Sequence, residues 1–401
     1  MNDTRRPDNI ALISAAYPPY ISGGIETQTY DLAHALSSLG VDVTVFCGGA
    51  KSPTLLHEDK KLNVFRLPMV KIPPRNVFFQ LQNMNMLGRL LSNYDVVHTQ
   101  HSSGSFYGLI KRRVGRPWIV SFHDHQLRRL KLFFDIKPWN LSIGDIFFYT
   151  GGFPIFDLLT RLELKGADHY VACGRSGFSD YLSFSKMDPA KTTLIPNGVN
   201  LSKIDSVRNS YEDEGTDEKD GFTLFTCGRW FASKGLHFLI SAMPYVRERF
   251  KNVRLKIFGK GPMGPRLEKL VLSLGLENSV RLEGLVPYDR LIHEMSISDV
   301  AVFPSMVEVG ASLAVMEAMA CSRPVIAFGY PFSLEIIDHM KTGFLVPPKN
   351  VKALSESICF LLDDEALRRK LGKNARTEIV ANHDIRKIVL KYLDVYSSVL
   401  S

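Results

Sequence analysis

The sequence predicts an α/β protein of two successive domains, each built around a parallel sheet. Three observations carry that expectation. At 401 residues the chain suits two domains of ordinary size. Short apolar runs alternate with stretches of helical periodicity twice over, once in each half. Between the halves lies a polar, acidic stretch from Ser202 to Asp220 that reads as a linker. Domains are therefore expected at 1–201 and 222–382, joined by a linker at 202–221. A last helix over 383–401 is expected to pack back on the N-terminal domain.

The first element is the apolar run Ile10 to Ala16, followed by a Pro/Gly-rich loop from Tyr17 to Gly24. Apolar residues then recur at helical spacing (Ile25, Leu32, Leu36, Leu39), and Gly40 is a stop. Val41 to Phe46 is the next strand, which completes a βαβ unit. Asp95 to Thr99 and Trp118 to Phe122 read as buried strands, and Tyr170 to Cys173 and Thr193 to Ile195 as weaker ones. In the second half, strands are expected at Phe222 to Cys227, Val253 to Phe258, Val280 to Leu282, Val300 to Phe303, Val325 to Ala327 and Phe344 to Val346. Leu236 to Arg249 is amphipathic, and Val351 to Leu400 is mostly helical. Two such halves imply a cleft between the carboxyl ends of two sheets, where open α/β folds bind ligands.

The formal net charge of +8 admits nucleic acid, an anionic membrane surface or a phosphorylated small molecule as partner and selects none of them. No nucleic-acid reader motif is present and the basic residues are dispersed, so nucleic acid is not expected. Cys47, Cys173, Cys227, Cys321 and Cys359 are odd in number and lack metal-ligand spacing, which favours a reducing, cytoplasmic home. The polar start, Met1 to Asn9, has no secretory pattern, and no stretch approaches the ~20 apolar residues of a membrane span. Any membrane association is expected to be peripheral.

Four places carry candidate chemistry. Gly23-Gly24 opens the first helix, where glycine admits close approach and bare amides favour anions; a plain tight turn is the alternative. Gly228-Arg229-Trp230-Phe231-Ala232-Ser233-Lys234-Gly235 sets two cations on one strand-end loop. They suit a diphosphate, or else are solvated surface charges. Pro304 to Leu313 leads from a strand into a helix that contains Glu317. Small residues Gly310, Ala311 and Ser312, with Leu313, present helix-start amides, and Glu308 and Glu317 fall about 12 Å apart by helical rise. That separation suits one glutamate at a sugar and one at a ribose, or else a helix-start charge and a second exposed mid-helix. His98 and the cluster His123-Asp124-His125 end strands of the first half. A metal site needs more convergent ligands than this, so a neutral hydrogen-bonding histidine is expected and no metal.

Taken together, these elements resemble family-4 glycosyltransferases of the GT-B fold, over nearly the whole chain. The residues that carry the resemblance stand in family order. They run from Tyr17-Pro18-Pro19 with Gly23-Gly24-Ile25-Glu26, through Asp95-Val96-Val97-His98, His123-Asp124 and Pro196-Asn197-Gly198-Val199, to Gly228-Arg229 with Lys234-Gly235. Gly259-Lys260-Gly261-Pro262, Gly284, Pro304-Ser305, Glu317-Ala318-Met319-Ala320 and Pro324-Val325-Ile326-Ala327 follow. The resemblance implies two facing Rossmann-like domains and retaining transfer of a sugar from a nucleotide-sugar donor. It implies no cofactor and no required metal, because protein cations handle the diphosphate. On the family pattern Arg229 and Lys234 hold that diphosphate and Gly24 approaches it from the other domain. His123 contacts the donor sugar near the reacting carbon, Glu317 binds the ribose hydroxyls, and backbone near Leu285 meets the base.

One departure stands out. The family pattern places two glutamates with seven residues between them, which puts Val309 at the first position and leaves Glu308 one residue early. A one-residue loop shift restores Glu308 to the sugar site; without it that contact is altered. The displacement keeps a binding-only relative in view; an epimerase or phosphorylase of the same fold is a separate alternative. The acceptor is expected among glycans, lipid-linked precursors and small molecules. Leu127 to Leu164 mixes Arg128, Arg129, Lys131 and Lys137 with aromatics such as Phe133, Phe134, Trp139, Phe147 and Phe148. Two accounts stay open for this segment: an anionic membrane surface as partner, or aromatics that fill the first domain's core.

Overall fold

The computed structural model describes residues 5–19, 23–70, 75–100, 103–123, 153–185, 187–210, 221–307 and 312–401. The chain divides into two units. The first runs to Gly198 and takes in Ile385–Ser401; the second is Val199–Asp384.

In the first unit the order is β1 (Asn9–Ile13), α1 (Gly24–Ser38), β2 (Asp42–Ala50), β3 (Thr54–Asp59), β4 (Leu62–Pro68), α2 (Arg75–Leu90), β5 (Val96–Gln100) and α3 (Tyr107–Val114). Then come β6 (Trp118–Phe122), α4 (Phe153–Gly166), β7 (His169–Ala172), α5 (Arg175–Asp180) and β8 (Thr192–Leu194). Among the described residues the sheet has the order β3-β4-β2-β1-β5-β6-β7-β8. All neighbours run parallel except β3 against β4, an antiparallel edge hairpin that periodicity did not single out.

Helices cover both faces of this sheet, so its strands bury side chains on both. In β1, Ile10 and Leu12 join the core under α1, while Ala11 and Ile13 join the core under α2 and α3. The helix Ile385–Ser398 closes the α1 face with Ile388, Val389, Tyr392 and Tyr396. Gly40 ends α1 at φ 88°, a left-handed conformation that glycine adopts without a Cβ clash.

The second unit starts with α6 (Leu201–Ser210) and β9 (Thr223–Cys227). The expected linker therefore begins inside a helix. Leu201, Ile204 and Val207 are buried, a thin stripe that the charged residues around it conceal from a composition reading. Residues 211–220 lie outside the described residues. After β9 come α7 (Leu236–Arg249), β10 (Arg254–Phe258), α8 (Gly264–Ser273), β11 (Val280–Gly284), α9 (Tyr288–Ile297), β12 (Val300–Phe303) and α10 (Leu313–Ala320). The unit ends with β13 (Val325–Phe328), β14 (Gly343–Val346), α11 (Val351–Asp363) and α12 (Glu365–Asn382). Its sheet is parallel, in the order β11-β10-β9-β12-β13-β14. Both units are Rossmann-like α/β layers.

His98 was placed at a strand end by the sequence reading. It sits instead inside β5, fully buried, as part of a polar lock for the C-terminal helix. Its Nδ1 lies 2.8 Å from the Tyr396 hydroxyl and its Nε2 2.8 Å from the Ser121 hydroxyl. Burial, helped by nearby His123, pulls the His98 pKa from 6.5 down to about 3. The folded state thus holds a neutral imidazole where the unfolded chain takes a proton. The stability this contributes is present above pH 6.5 and is lost as pH falls toward 3. Thermal melts should show wild-type stability declining over that window by at most about 1.4 kcal/mol per pH unit from this group. His98→Gln should have a shallower decline. Tyr396→Phe, which strands a buried ring nitrogen, should cost about 1–3 kcal/mol at neutral pH.

Candidate functional site

In each unit the strand order reverses its direction of travel once. The chain leaves β1 toward β2 on one side and returns to β5 on the other; β9 leads to β10 on one side and is flanked by β12 on the other. Loops diverge at such points and open a crevice at the carboxyl ends of the strands. The predicted site residues that are described fall on these loops or on the helices they lead into.

In the first unit, Gly23 and Gly24 start α1, and among the described residues no side chain caps that helix end. Gln28, one turn on, accepts a hydrogen bond from the Gly198 amide at 3.1 Å and so ties the start of α1 to the Pro196–Val199 turn. His123 directly follows β6 and is buried. Its Nε2 donates to Gln100 Oε1 at 2.9 Å. Gln100 closes β5, is itself buried, and was not singled out from the sequence. The signal available was a polar side chain ending an apolar strand, two residues beyond His98 and on the same face. Asp124 and His125 lie outside the described residues.

In the second unit four loops are stitched into one rim. The Gly228 amide donates to Phe258 O at 3.0 Å, and the Trp230 amide to Lys260 O at 3.1 Å. The Met263 amide returns to Trp230 O at 3.0 Å. The Gly259 amide reaches Gly284 O at 2.7 Å, and the Met306 amide reaches Ser233 O at 2.7 Å. Glycine is required where these backbones meet. Gly259 has φ 128° and a Cβ there would strike Gly228 O; Gly235 has φ 64° and a Cβ there would strike Pro304 O.

This rim carries Arg229, exposed with its guanidinium 5.2 Å from the Phe231 ring centre, and Lys234, half-buried with its stem beside Gly228. The carboxyl end of β11 presents Leu285 at 76% exposure, an uncovered apolar side chain next to the Gly259–Gly284 junction. The end of β12 leads to Ser312, the N-cap of α10, whose side chain makes no capping bond; Leu313 is the first helical residue. Glu317 lies one turn into α10 and is buried, not exposed mid-helix. His237, second in α7 just after Lys234-Gly235, is held neutral by burial, which lowers its pKa to about 4. Glu308, Gly310 and Ala311 lie outside the described residues. The rim therefore offers two cations on one loop and a helix start free of side-chain caps, an arrangement that suits an anion with several acceptor oxygens.

The two sheets and their crossovers define an α/β protein of the Rossmann class. Comparison with known proteins makes this specific. The profile for Glycosyltransferase Family 4 matches residues 22–203 and that for Glycosyl transferases group 1 matches residues 207–378. An uncharacterized glycosyltransferase of Methanocaldococcus jannaschii is 27% identical over 96% of this chain and 97% of its own. The solved structure of sucrose-phosphate synthase from Thermosynechococcus elongatus superposes with TM-score 0.75 at 23% identity, covering 98% of both chains. That of Anabaena HepE in complex with UDP-glucose gives 0.71 at 18% identity, over 97% of this chain and 99% of the other. The chain belongs to the family-4, group 1 glycosyltransferases of the GT-B fold.

The stitched rim makes a stability prediction. Gly259→Ala combines a strained φ with a backbone clash and should destabilise the protein by about 1–3 kcal/mol or more. Gly275→Ala, also at positive φ but with open space around its Cβ, isolates the conformational part. Melting temperatures of the two variants should separate clearly, with Gly259→Ala the lower.

Proposed function

We propose that this enzyme transfers a sugar from a nucleotide-sugar donor to an acceptor hydroxyl with retention of anomeric configuration and without a metal ion. The observation that carries the reading is the pair Arg229 and Lys234 on one rim beside the start of α10. Charge builds on a departing nucleoside diphosphate as the glycosidic bond breaks. Two cations and a set of helix-start amides, fixed in advance by the stitched loops, stabilise that charge without reorganising. Lys234 supplies a point charge against its own glycine-lined turn, and Arg229 a fork of donors. The amides at Ser312 and Leu313 complete the cradle; Gly310 and Ala311, outside the described residues, are assigned to it from the sequence alone. Binding of UDP-glucose by the structurally similar HepE supports a nucleotide donor.

Glu317 is assigned to the ribose hydroxyls, and the backbone at Leu285, beside that exposed leucine, to the base. His123 acts at the donor sugar near the reacting carbon. Its Nε2 is engaged by Gln100 Oε1, which fixes the orientation of the ring. Gly23 and Gly24 address the diphosphate. Glu308, one residue early against the family pattern and outside the described residues, is assigned to the donor sugar through a one-residue loop shift. The acceptor we favour is a lipid-linked or cell-surface glycan precursor, met at the cytoplasmic face of a membrane.

Arg229→Ala and Lys234→Ala should each lower turnover by roughly 10²-fold or more, as loss of one preorganised stabiliser does, measured by release of nucleoside diphosphate; near-wild-type rates in both would remove the diphosphate assignment. Activity should survive EDTA, since no step is assigned to a divalent ion. NMR of the product should show the donor's anomeric configuration. An inverted product would overturn retention, and donor binding without transfer to any acceptor would leave a binding-only relative.

A further inference from the structure

One corner of the second sheet departs from the pattern of the rest. A parallel sheet is ordinarily covered on both faces and apolar on both. β10 and β11 keep that pattern on one face, where Leu255, Ile257 and Val280 are buried. The chain reaches β10 and β11 by crossovers in one direction and returns to β12 through α9, so right-handedness puts α9 on the face opposite α7 and α8. On that α9 face β10 carries Arg254, Lys256 and Phe258, and β11 carries Arg281 and Glu283. Phe258, at the carboxyl end, joins the core that Ile292 and Met295 of α9 share. The rest of the face is charged.

Arg290 and Glu294 of α9 border the same face, and a cavity of about 310 Å³ lies between them and the strands. Its charged lining is Arg254, Lys256, Arg281 and Arg290 against Glu283 and Glu294, an excess of cations. Glu294 is already claimed: Lys256 Nζ lies 2.6 Å from its carboxylate and Arg290 Nε 4.0 Å. Among the described residues Arg254 and Arg281 have no ion-pair partner. Lys256 and Arg281 are register partners on adjacent strands. Arg254 stands one pleat nearer the amino end, about 8 Å from Arg281 along the diagonal of the sheet. Glu283 stands one pleat nearer the carboxyl end. The cationic end of the cavity is therefore the amino end, where Asn278 adds an amide.

Local structure does not account for these charges. Cations on an edge strand guard against pairing with another chain, which explains Arg281 on β11 but not Arg254 and Lys256 on the strand inside it. Arg290 is in the first turn of α9, where a cation opposes the helix dipole. Its pairing with Glu294 runs in the weaker direction, cation before carboxylate. Like charges on adjacent strands repel, so Lys256 beside Arg281 costs stability unless an anion lies between them. Two arginines without carboxylate partners and a lysine that converge on one small cavity match a group with several acceptor oxygens.

We propose that this cavity is a second anion site, for a small molecule bearing a phosphate group, separate from the rim that carries Arg229 and Lys234. Arg254 precedes Gly259 of that rim by five residues, about 16 Å along the strand. Arg254 and Arg281 supply forked donors to the phosphate oxygens and Lys256 a point charge. The volume is at the small end of ligand cavities, which suits inorganic phosphate, a diphosphate or a phosphorylated monosaccharide. The site goes beyond the transferase reading and does not rest on it.

The test is isothermal titration of the full chain with inorganic phosphate, pyrophosphate and glucose 6-phosphate. A background of Arg229→Ala with Lys234→Ala keeps the rim out of the reading. At least one of the three should bind saturably, and more weakly as salt is raised. Adding Arg254→Gln and Arg281→Gln should lower the affinity by about 10²-fold, as loss of two charge-assisted hydrogen bonds does. Arg254→Lys with Arg281→Lys should recover part of it. Both arginines are exposed, so melting temperatures without ligand should stay near that of the parent and certify folding. A tungstate soak of crystals of the wild-type chain, with tungstate as a heavy-atom analogue of phosphate, should give an anomalous peak between Arg254 and Arg281. Absence of binding by the rim variant overturns the proposal. Equal binding by the folded variant that also lacks Arg254 and Arg281 does so too, as does tungstate found at the rim alone. Donor turnover by the rim variant, measured in parallel, bears on the transferase reading only.

Discussion

A parallel sheet returns the chain to the same edge before every strand, and that constraint organises the whole molecule. Each return needs a crossover, each crossover here carries a helix or a long loop, and right-handedness sets the face it covers. The carboxyl ends of all strands but the antiparallel edge strand β3 therefore collect at one edge of each sheet. The two points where the chain reverses its direction across the sheet, β1/β5 and β9/β12, leave crevices there. Gly23-Gly24, Gln100 and His123 in one unit, and Arg229, Lys234, Leu285 and Ser312 in the other, are where they are because of this topology. Residues far apart in sequence become neighbours at one edge without any direct attraction between them.

Topology brings loops together only to within several ångströms; hydrogen bonds between their backbones do the rest. In the second unit the rim is held by main-chain contacts among the loops after β9, β10, β11 and β12. Backbone can meet backbone that closely only where side chains are absent, which is why glycine occupies 235, 259 and 261; at 228 and 284 it is the positive φ that favours glycine. A rim built this way holds its cations in place before a ligand arrives, the condition for electrostatic stabilisation to act without reorganisation. The first unit uses side chains for the same end: Gln28 anchors the start of α1, and Gln100 sets the hydrogen bond of His123.

The C-terminal helix shows how a single polar cluster can select a packing. Apolar side chains such as Ile388 and Val389 would suit many apolar faces. The Tyr396 hydroxyl is hydrogen-bonded to His98, and a buried polar group left unpaired is costly. The α1 face is closed by this lock, while the opposite helical layer keeps apolar and cationic side chains uncovered. The two sides of one sheet thus have different outward characters.

Much of the fold was legible in the sequence because burial on both sheet faces writes strands as apolar runs and crossovers as helical stripes. The loop after β9 stood out by its two cations between glycines, and the loops after β1 and β12 by the glycines and small residues that open a helix. Other features had no local signal. Leu201, Ile204 and Val207 form too thin a stripe to mark α6 among charged neighbours, so it read as linker. β3 is exposed throughout and owes its existence to pairing with β4. His98 and His123 are the same residue type near the ends of neighbouring strands. One is locked inside the sheet by Tyr396 and Ser121, and the other emerges at its edge beside Gln100. The sequence by itself determined the alternation of strands and helices in both halves, apart from the β3–β4 hairpin and α6, together with the family and the loop that carries the paired cations, because periodicity and composition are local properties. Which polar side chains pair, which glycines admit a crossing backbone and which helical face stays uncovered were decided only by tertiary structure, because each depends on an atom contributed by a distant part of the chain.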